Sequence, residues 1–540
     1  MGIIQAAVRC ASVALLFLAP GLAVASSEVS DGGLDEGLAE FDGFTAVFVR
    51  MDDQLFPVGG DYERFAAEQP ASCKRLELRE KVLQTLREKA GRSYGVVREA
   101  LQLLVESDDV RGVQRFWIVN GFACEATSQG CKALSALPGV GFVYRQRKGP
   151  QHRVSGGGDF DENKELTSLY QGLLKSPETR EEAPFELGET EVPWNLRKIG
   201  ADEAWTRHGI TGKGVVVAIL DDGMMTIPAL LPALWTNKDE QLNGKDDDGN
   251  GLVDDVFGYD FKGGSPYCVT PSGHRHGSLC ASVVAARSTV GDDAIAAGVA
   301  PGALVMPLIG GGRLLAYEYA LEQSADVLSM SYTFEPSMMG HYRGLYRTAH
   351  EHLSAAGILS VGGAGNYAEK RPVGEQIGST KDVPCVVAAA GVGPDGVVTS
   401  FSSRGPVSWS GIRYFDPSEG SPAAPIKPDV TACNAGFPMW TLREVWTGAK
   451  AERAKNVVRT DAEGYTLVIG PRGNSFAGPH AAGVAALMLE ASPELPVWQL
   501  QRLMEATCED MGEPGRDTTH GAGMLQAHKA VEAALAYRFE

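Results

Sequence analysis

Gly473-Asn474-Ser475-Phe476-Ala477-Gly478-Pro479-His480 runs without a break into Ala481-Ala482-Gly483-Val484-Ala485-Ala486-Leu487-Met488-Leu489. A small-residue turn presents one serine, and an apolar run of helical character follows at once. This pattern predicts Ser475 at a helix N-terminus, where free backbone N–H groups and the helix dipole favour negative charge. A nucleophilic serine needs that setting, because its attack on a carbonyl creates an oxyanion beside it. Pro479 is tolerated in the first turn, where its missing N–H is not required. The small residues Ala481, Ala482, Gly483, Ala485 and Ala486 suit a helix packed tightly inside a core. Taken alone, the stretch also reads as a Gly/Ser loop before a buried helix.

Two other stretches tip the balance. Gly214-Val215-Val216-Val217-Ala218-Ile219-Leu220 is a buried-strand run ending in Asp221-Asp222-Gly223. Gly273-His274-Arg275-His276-Gly277-Ser278-Leu279-Cys280-Ala281 sets a histidine before another small, apolar helical run. Asp, His, Ser is one of the chain orders in which a catalytic triad occurs.

With these three motifs in order, the chain from about residue 192 to the C-terminus resembles the subtilisin-like serine proteases. Their serine motif reads Gly-Thr-Ser-x-Ala-x-Pro and their histidine motif His-Gly-Thr-x-x-Ala. Their aspartate ends a strand before a small residue and Gly. The resemblance implies an α/β catalytic domain, three layers around a parallel sheet, and a serine endopeptidase working through an acyl-enzyme. Ser475 is then the nucleophile, His276 its general base and Asp221 the group that orients the imidazole. Asp221 rather than Asp222 takes that role because it directly ends the strand. Ile358-Leu359-Ser360-Val361-Gly362-Gly363-Ala364-Gly365-Asn366 ends a further strand, and the resemblance makes Asn366 the oxyanion donor. It also implies that Ser331, Tyr332 and Thr333, with Gly363, Ala364 and Gly365, hold the substrate. The third of these positions is usually Gly, so Thr333 narrows the pocket for the side chain preceding the scissile bond. Phe401-Ser402-Ser403-Arg404-Gly405-Pro406 and Lys427-Pro428-Asp429-Val430 match structural motifs of the family. Asn474 replaces the usual Thr, and its amide can still hydrogen-bond locally. Asp-Asp-Gly and Cys280 are similar to the kexin/furin branch, whose dibasic specificity is not carried over. His274 reads as a loop residue. The alternatives are a catalytically impaired binding protein on the same fold and an ester hydrolase. The second lacks support, because Gly473-Asn474-Ser475-Phe476-Ala477 is not a Gly-x-Ser-x-Gly elbow.

The 540 residues exceed one average domain, and 44% hydrophobic with 22% charged content is that of a globular chain. A formal net charge of −19 argues against nucleic acid as a partner. Residues 1–25 read as a secretory signal: Arg9, an apolar core from Ala11 to Ala25, and a small-x-small site at Ala23-Val24-Ala25. The expectation is a secreted protein, extracellular or periplasmic, with no membrane span in its mature form.

Residues 26–148 read as a separate unit in which strand, long helix, strand, short helix and strand follow one another. Its strands are Phe44–Val49, Phe116–Val119 running on through Phe122, and Gly141–Tyr144, with Leu78, Val82, Leu86 and Ala90 on one helix face. This order predicts a small α+β, ferredoxin-like domain. It is similar to the subtilase propeptide, which would make it an intramolecular inhibitor and folding assistant. Residues 149–191 carry little periodicity and read as a linker holding the maturation site, with Arg145-Gln146-Arg147-Lys148 a basic candidate. Residues 192–540 form the peptidase domain, whose partners would be protein or peptide substrates. Within it, Asp246-Asp247-Asp248-Gly249-Asn250-Gly251-Leu252-Val253-Asp254-Asp255 matches the first half of an EF-hand-type loop. Calcium on Asp246, Asp248, Asn250 and Asp254 is the expectation, against a hydrated acidic turn; Phe257 stands where the loop's closing Glu would be. Of nine cysteines, Cys280 is expected to be a free core thiol, while Cys268, Cys385, Cys433 and Cys508 are disulfide candidates.

Overall fold

The computed structural model describes residues 33–146, 163–175, 192–287, 297–420, 425–447, 451–460 and 464–539. Residues 1–25 and most of the segment 149–191 lie outside the described residues.

The N-terminal unit is an antiparallel sheet of β1 (Thr45–Met51), β2 (Val110–Phe116), β3 (Gly121–Ala126) and β4 (Val140–Arg145) in the order β2-β3-β1-β4. The helices Arg75–Glu106 and Ser128–Ser135 complete a β-α-β-β-α-β topology. It has four strands, not three. Trp117-Ile118-Val119-Asn120, expected inside a strand, is the turn joining β2 to β3. That turn is apolar because it is buried in the second domain. Ile118 and Val119 are fully buried, and the Glu318 carboxylate accepts from the backbone N–H of Trp117 and Ile118. Around the turn, Ile118 O meets His352 Nδ1 at 2.6 Å, Arg75 pairs with Asp326 at 2.7 Å, and Tyr62 shares a hydrogen bond with Ser354. Burial pushes Glu318 up to about 8, against its backbone donors, and pushes His352 down to about 4.

The second domain is built on seven parallel strands. They are β5 (Val216–Asp221), β7 (Tyr259–Asp260), β9 (Leu304–Ile309), β10 (Val327–Met330), β11 (Leu359–Gly363), β12 (Val386–Val392) and β13 (Val430–Cys433), in the order β13-β12-β11-β10-β5-β9-β7. Short β6 (Met224–Met225) and β8 (Val269–Thr270) pair beside it. A small antiparallel sheet of β14 (Met439–Leu442), β15 (Val457–Thr460) and β16 (Tyr465–Val468) precedes the serine stretch. One core lies between the sheet and the helices Arg275–Ala285 and Asn474–Ala491. The other lies under Leu314–Glu322 and Tyr342–Ala355 and is continuous with the N-terminal unit through Phe48, Phe56 and Phe116. This is the expected three-layer α/β arrangement. Among the described residues no helix is long and apolar enough to cross a membrane.

Two expectations are corrected. Part of the expected linker is a helix, Lys164–Leu174, whose fully buried Tyr170 donates to Pro266 O at 3.0 Å and accepts from Val269 N at 2.9 Å. Its signal was present, since Leu166, Leu169, Tyr170 and Leu173 follow the 3.6-residue period. All eight described cysteines are free. Cys268 and Cys433 lie in the core on one side of the sheet, with Cys508 packed against it, and Cys385 in the core on the other, so the sheet separates Cys385 from the other three candidates.

The serine helix, Asn474–Ala491, is buried nearly all round, and at Gly478 its backbone lies directly on the β11 backbone. A Cβ on Gly478 would stand 2.7 Å from backbone atoms of Gly362 and Gly363. Gly478→Ala is therefore expected to cost about 3 kcal/mol or prevent folding, as overpacking does in a tight core. Gly91→Ala, in an open position of the long N-terminal helix, should instead stabilise by about 0.5–1 kcal/mol. Thermal unfolding of both variants beside wild type checks the contrast.

Candidate active site

In a parallel sheet, groups at the carboxyl ends of adjacent strands face one crevice. β11, β10 and β5 are neighbours, and they end at Gly363, Met330 and Asp221. Asp221, Ser331-Tyr332-Thr333 and Gly363-Ala364-Gly365-Asn366 therefore come together at one edge. The serine helix delivers Ser475 to the same edge, where Ser331 Oγ donates to Ser475 O at 2.7 Å.

His276 sits in the first turn of the helix Arg275–Ala285. Its Nδ1 lies 2.8 and 2.9 Å from the two carboxylate oxygens of Asp221. With Nδ1–H donated there, Nε2 keeps its lone pair and can accept a proton. His276 and Ser475 line one cavity of about 500 Å3. Asp222 does different work: its carboxylate accepts from the backbone N–H of His276 at 3.3 Å and Gly277 at 2.6 Å. It thus caps the start of the histidine helix, and burial raises its pKa.

Cys280, one turn on, is buried with Sγ 3.5 Å from Ser475 O, 3.7 Å from Asp221 Oδ2 and 3.9 Å from His276 Nδ1. A thiolate there and the Asp221 carboxylate would each favour the imidazolium, and the pKa of His276 is raised. Burial raises Cys280 itself, which keeps it a neutral thiol at neutral pH, so the carboxylate supplies the attraction. His274 packs over Gly223, and burial lowers its pKa.

Asn366 is half-buried, and its Oδ1 accepts from Asn474 N at 2.8 Å. That bond orients the amide and leaves its N–H groups for another acceptor. Asn474 is fully buried. Its Nδ2 donates to Gly365 O at 2.8 Å and to Ser402 Oγ at 2.9 Å, and its Oδ1 accepts from Asn434 Nδ2 at 2.8 Å. Gly391 leaves the room for this amide pair, since a Cβ there would stand 2.0 Å from Asn434 Nδ2. Asn474 thus ties the serine turn to the Asn366 strand and to Phe401–Pro406. Asn434 escaped sequence reading because it is an isolated polar residue whose partner is far along the chain, while Ser402 stood in a quoted motif without a partner assigned to it.

In the expected substrate segments, Thr333 Oγ1 donates to Ser379 O at 3.3 Å and fills the space a Cβ on Gly378 would need. The Tyr332 carbonyl already takes the ammonium of Lys381, a buried group lowered to about 7 by desolvation.

In the acidic loop, Glu240, Asp246 and Asp248 bring carboxylate oxygens within 4.8 Å of one another. Asn250 Nδ2 bridges Asp248 and Asp255. Asp255 is fully buried, and its Oδ1 has no hydrogen-bond partner. Asp254 Oδ1 is instead spent on the backbone N–H of Asn243 and Gly244, both at 2.8 Å, so it braces the loop. Glu240 lay too far back in sequence to be read as part of the loop.

Residues 212–523 match the family described as Subtilase family, Peptidase_S8. The chain belongs to the subtilase family. This subtilase is 28% identical over 347 residues to the protein named Probable subtilase-type serine protease DR_A0283 of Deinococcus radiodurans, covering 62% of this chain and 42% of that one. It is 24% identical over 397 residues to Subtilisin-like protease 1 of Plasmodium berghei, covering 69% of this chain and 59% of that one. The chain thus spans about half the length of these two relatives. Against Mycosin-1 of Mycobacterium tuberculosis the identity is 28% over 387 residues, 66% of this chain and 76% of mycosin. The solved structure of MycP1 with its N-terminal propeptide removed aligns at 18% identity with a TM-score of 0.42, covering 63% of this chain and 96% of that chain.

Asn474→Ala would remove one hydrogen bond each from Gly365 O, Ser402 and Asn434, which keep Ser403 N, Gly391 N and Thr399 Oγ1 as partners. The expected cost is about 2–4 kcal/mol of stability, since three buried hydrogen bonds are lost at about 1 kcal/mol each. Urea unfolding of the variant beside wild type measures it.

Proposed function

We propose that this subtilase is a secreted serine endopeptidase made as a self-processing zymogen. The observation that carries the chemistry is the Asp221–His276 contact at 2.8 Å, in a cavity that Ser475 also lines. Ser475 Oγ attacks a peptide carbonyl and gives its proton to His276 Nε2. Asp221 holds the imidazole by Nδ1 and stabilises the imidazolium. The Asn366 amide and the Ser475 backbone N–H take the oxyanion, the amide contributing about 3 kcal/mol. His276 then protonates the leaving amine, and water releases the acyl group from Ser475. Ser331–Thr333 and Gly363–Gly365 hold the substrate chain before the scissile bond.

The N-terminal unit is the inhibitory propeptide in this reading. Support comes from its docking, in which Glu318 and His352 hold one turn and both domains share an apolar core. Removal of residues 1–25 and cleavage within residues 149–191 complete export and maturation. Self-processing tests the whole reading. Purified wild type is expected to shorten to a product starting between about residues 149 and 192, while Ser475→Ala stays full length; gels with N-terminal sequencing follow it. If both stay intact and neither cuts a denatured protein, the peptidase reading fails.

The acidic loop fits a calcium ion. Glu240, Asp246 and Asp248 converge, and a buried oxygen of neighbouring Asp255 lacks a partner. Calcium takes oxygen ligands only, and would neutralise carboxylates that otherwise repel. Chelation is expected to lower the melting temperature, and calorimetry to show calcium uptake that Asp246→Asn/Asp248→Asn weakens. Unchanged melting and no heat of binding would dismiss the ion.

A further inference from the structure

The cavity beside Ser475 has a composition that the reaction itself does not require. Its walls come from the start of the histidine helix, from the segment just before Gly473, and from the region around β14–β16. These three places contribute Arg275, Arg472 and Arg453. The chain has 68 acidic and 49 basic residues, so three arginines around one cavity run against its overall balance, although the exposed Arg472 also lies over the Phe401 ring outside it.

Several arginines elsewhere are spent on carboxylates. Arg343 meets Asp382, Arg347 meets Glu351, and Arg516 meets Asp429 and Glu505. Among the described residues, no ion pair engages Arg275, Arg453 or Arg472. Arg453 gives one N–H to Trp446 O at 3.3 Å and lies over the Trp446 ring. Leu279, Trp446 and Phe476 add low-dielectric walls, which focus the positive field into the cavity. Arginine carries its charge at any working pH and offers a planar fork of donors that matches a carboxylate.

The position of the cavity says which part of a substrate enters it. None of Ser331–Thr333, Gly363–Gly365 or Asn366 lines it, whereas His276 does. Those segments hold the chain before the scissile bond, and His276 must protonate the amine that leaves. The residues after the bond therefore lie in the cavity. We propose that it is a subsite for acidic side chains: the enzyme selects Asp or Glu in the first two positions after the bond it cuts, with Arg275, Arg453 and Arg472 setting the preference. The inference rests on the peptidase reading given above.

Among the described residues the N-terminal unit supplies none of the lining, so the full chain serves for the test. A chymotryptic peptide mixture, which keeps internal Asp, Glu and Lys, is digested with the purified protein, and the new termini are identified by mass spectrometry. Asp and Glu are expected to be enriched about ten- to a hundredfold over Lys at the two positions after the cut, the scale of one or two charge-assisted hydrogen bonds. Arg453→Gln/Arg472→Gln should abolish the enrichment while neutral sites are still cut. High salt should weaken it in wild type, which covers a double variant that fails to fold. No enrichment, or enrichment untouched by both the variant and salt, overturns the subsite. If no peptide is cut at all, the peptidase reading fails separately. Fluorescein-labelled Glu-rich and Lys-rich hexapeptides are then compared by anisotropy on the full-length Ser475→Ala chain. Tighter binding of the acidic peptide supports the subsite, and equal binding rejects it.

Discussion

Contact between bare backbones holds this molecule in register. Gly478 of the serine helix rests on Gly362 and Gly363 of β11, and Gly363 in turn lies under the Asn474 carbonyl, where a Cβ would come within 2.0 Å. A side chain at any of these points would lift the helix from the sheet. The approach sets the height of Ser475 above the carboxyl ends of β11, β10 and β5. Asp221 and Asn366 leave from that same edge, so the distances among the reacting groups follow from one packing contact. Removing side chains there forfeits hydrophobic burial locally. The helix recovers it on its other faces, where Phe476, Val484, Leu487 and Met488 are buried.

A helix set so close to a sheet leaves polar backbone to satisfy at its entrance, and Asn474 does most of that. One residue bonds Asn366, Gly365, Ser402 and Asn434, joining the serine turn to three segments distant in sequence. The departure from the family's usual threonine is thus matched by Asn434 and by the open position at Gly391. The same economy appears under the N-terminal unit. Glu318 and His352 are both buried, and each is occupied by backbone of one turn. An ionisable group in a dry interface is tolerated only when such partners are in place, so these residues specify how the two domains fit.

The peptidase-type core was legible because parallel strands buried on both faces write continuous apolar runs. The run Gly214–Leu220 and the run Ile358–Gly365 both fall on central strands, and Asp221 and Asn366 stand at or just past their ends. Two other segments misled for one shared reason. Trp117–Asn120 and Lys164–Leu174 are local elements whose apolar residues are buried by a distant part of the chain. In the first, burial imitates a strand. In the second, four apolar residues on one helix face sit in otherwise polar surroundings, where the local average hides the period. The cysteines show the limit most plainly, since neither number nor spacing says that a sheet stands between Cys385 and Cys433.

What the sequence by itself determined is the set of reacting residue types and their order, with the parallel α/β core that carries them. Each of those signals is local: a strand run ending in Asp, a histidine before a small-residue helix, a serine at a helix start. What only the tertiary structure decided is which groups meet. It separated Asp221, which faces His276, from Asp222, which caps the histidine helix. It drew Glu240 into the acidic loop, tied Asn474 to Asn434, and gathered Arg275, Arg453 and Arg472 around one cavity. Periodicity reports which face of an element is buried, and it carries no information on what lies across the gap. That is set by how the elements pack, and here by three glycines that let one helix touch one strand.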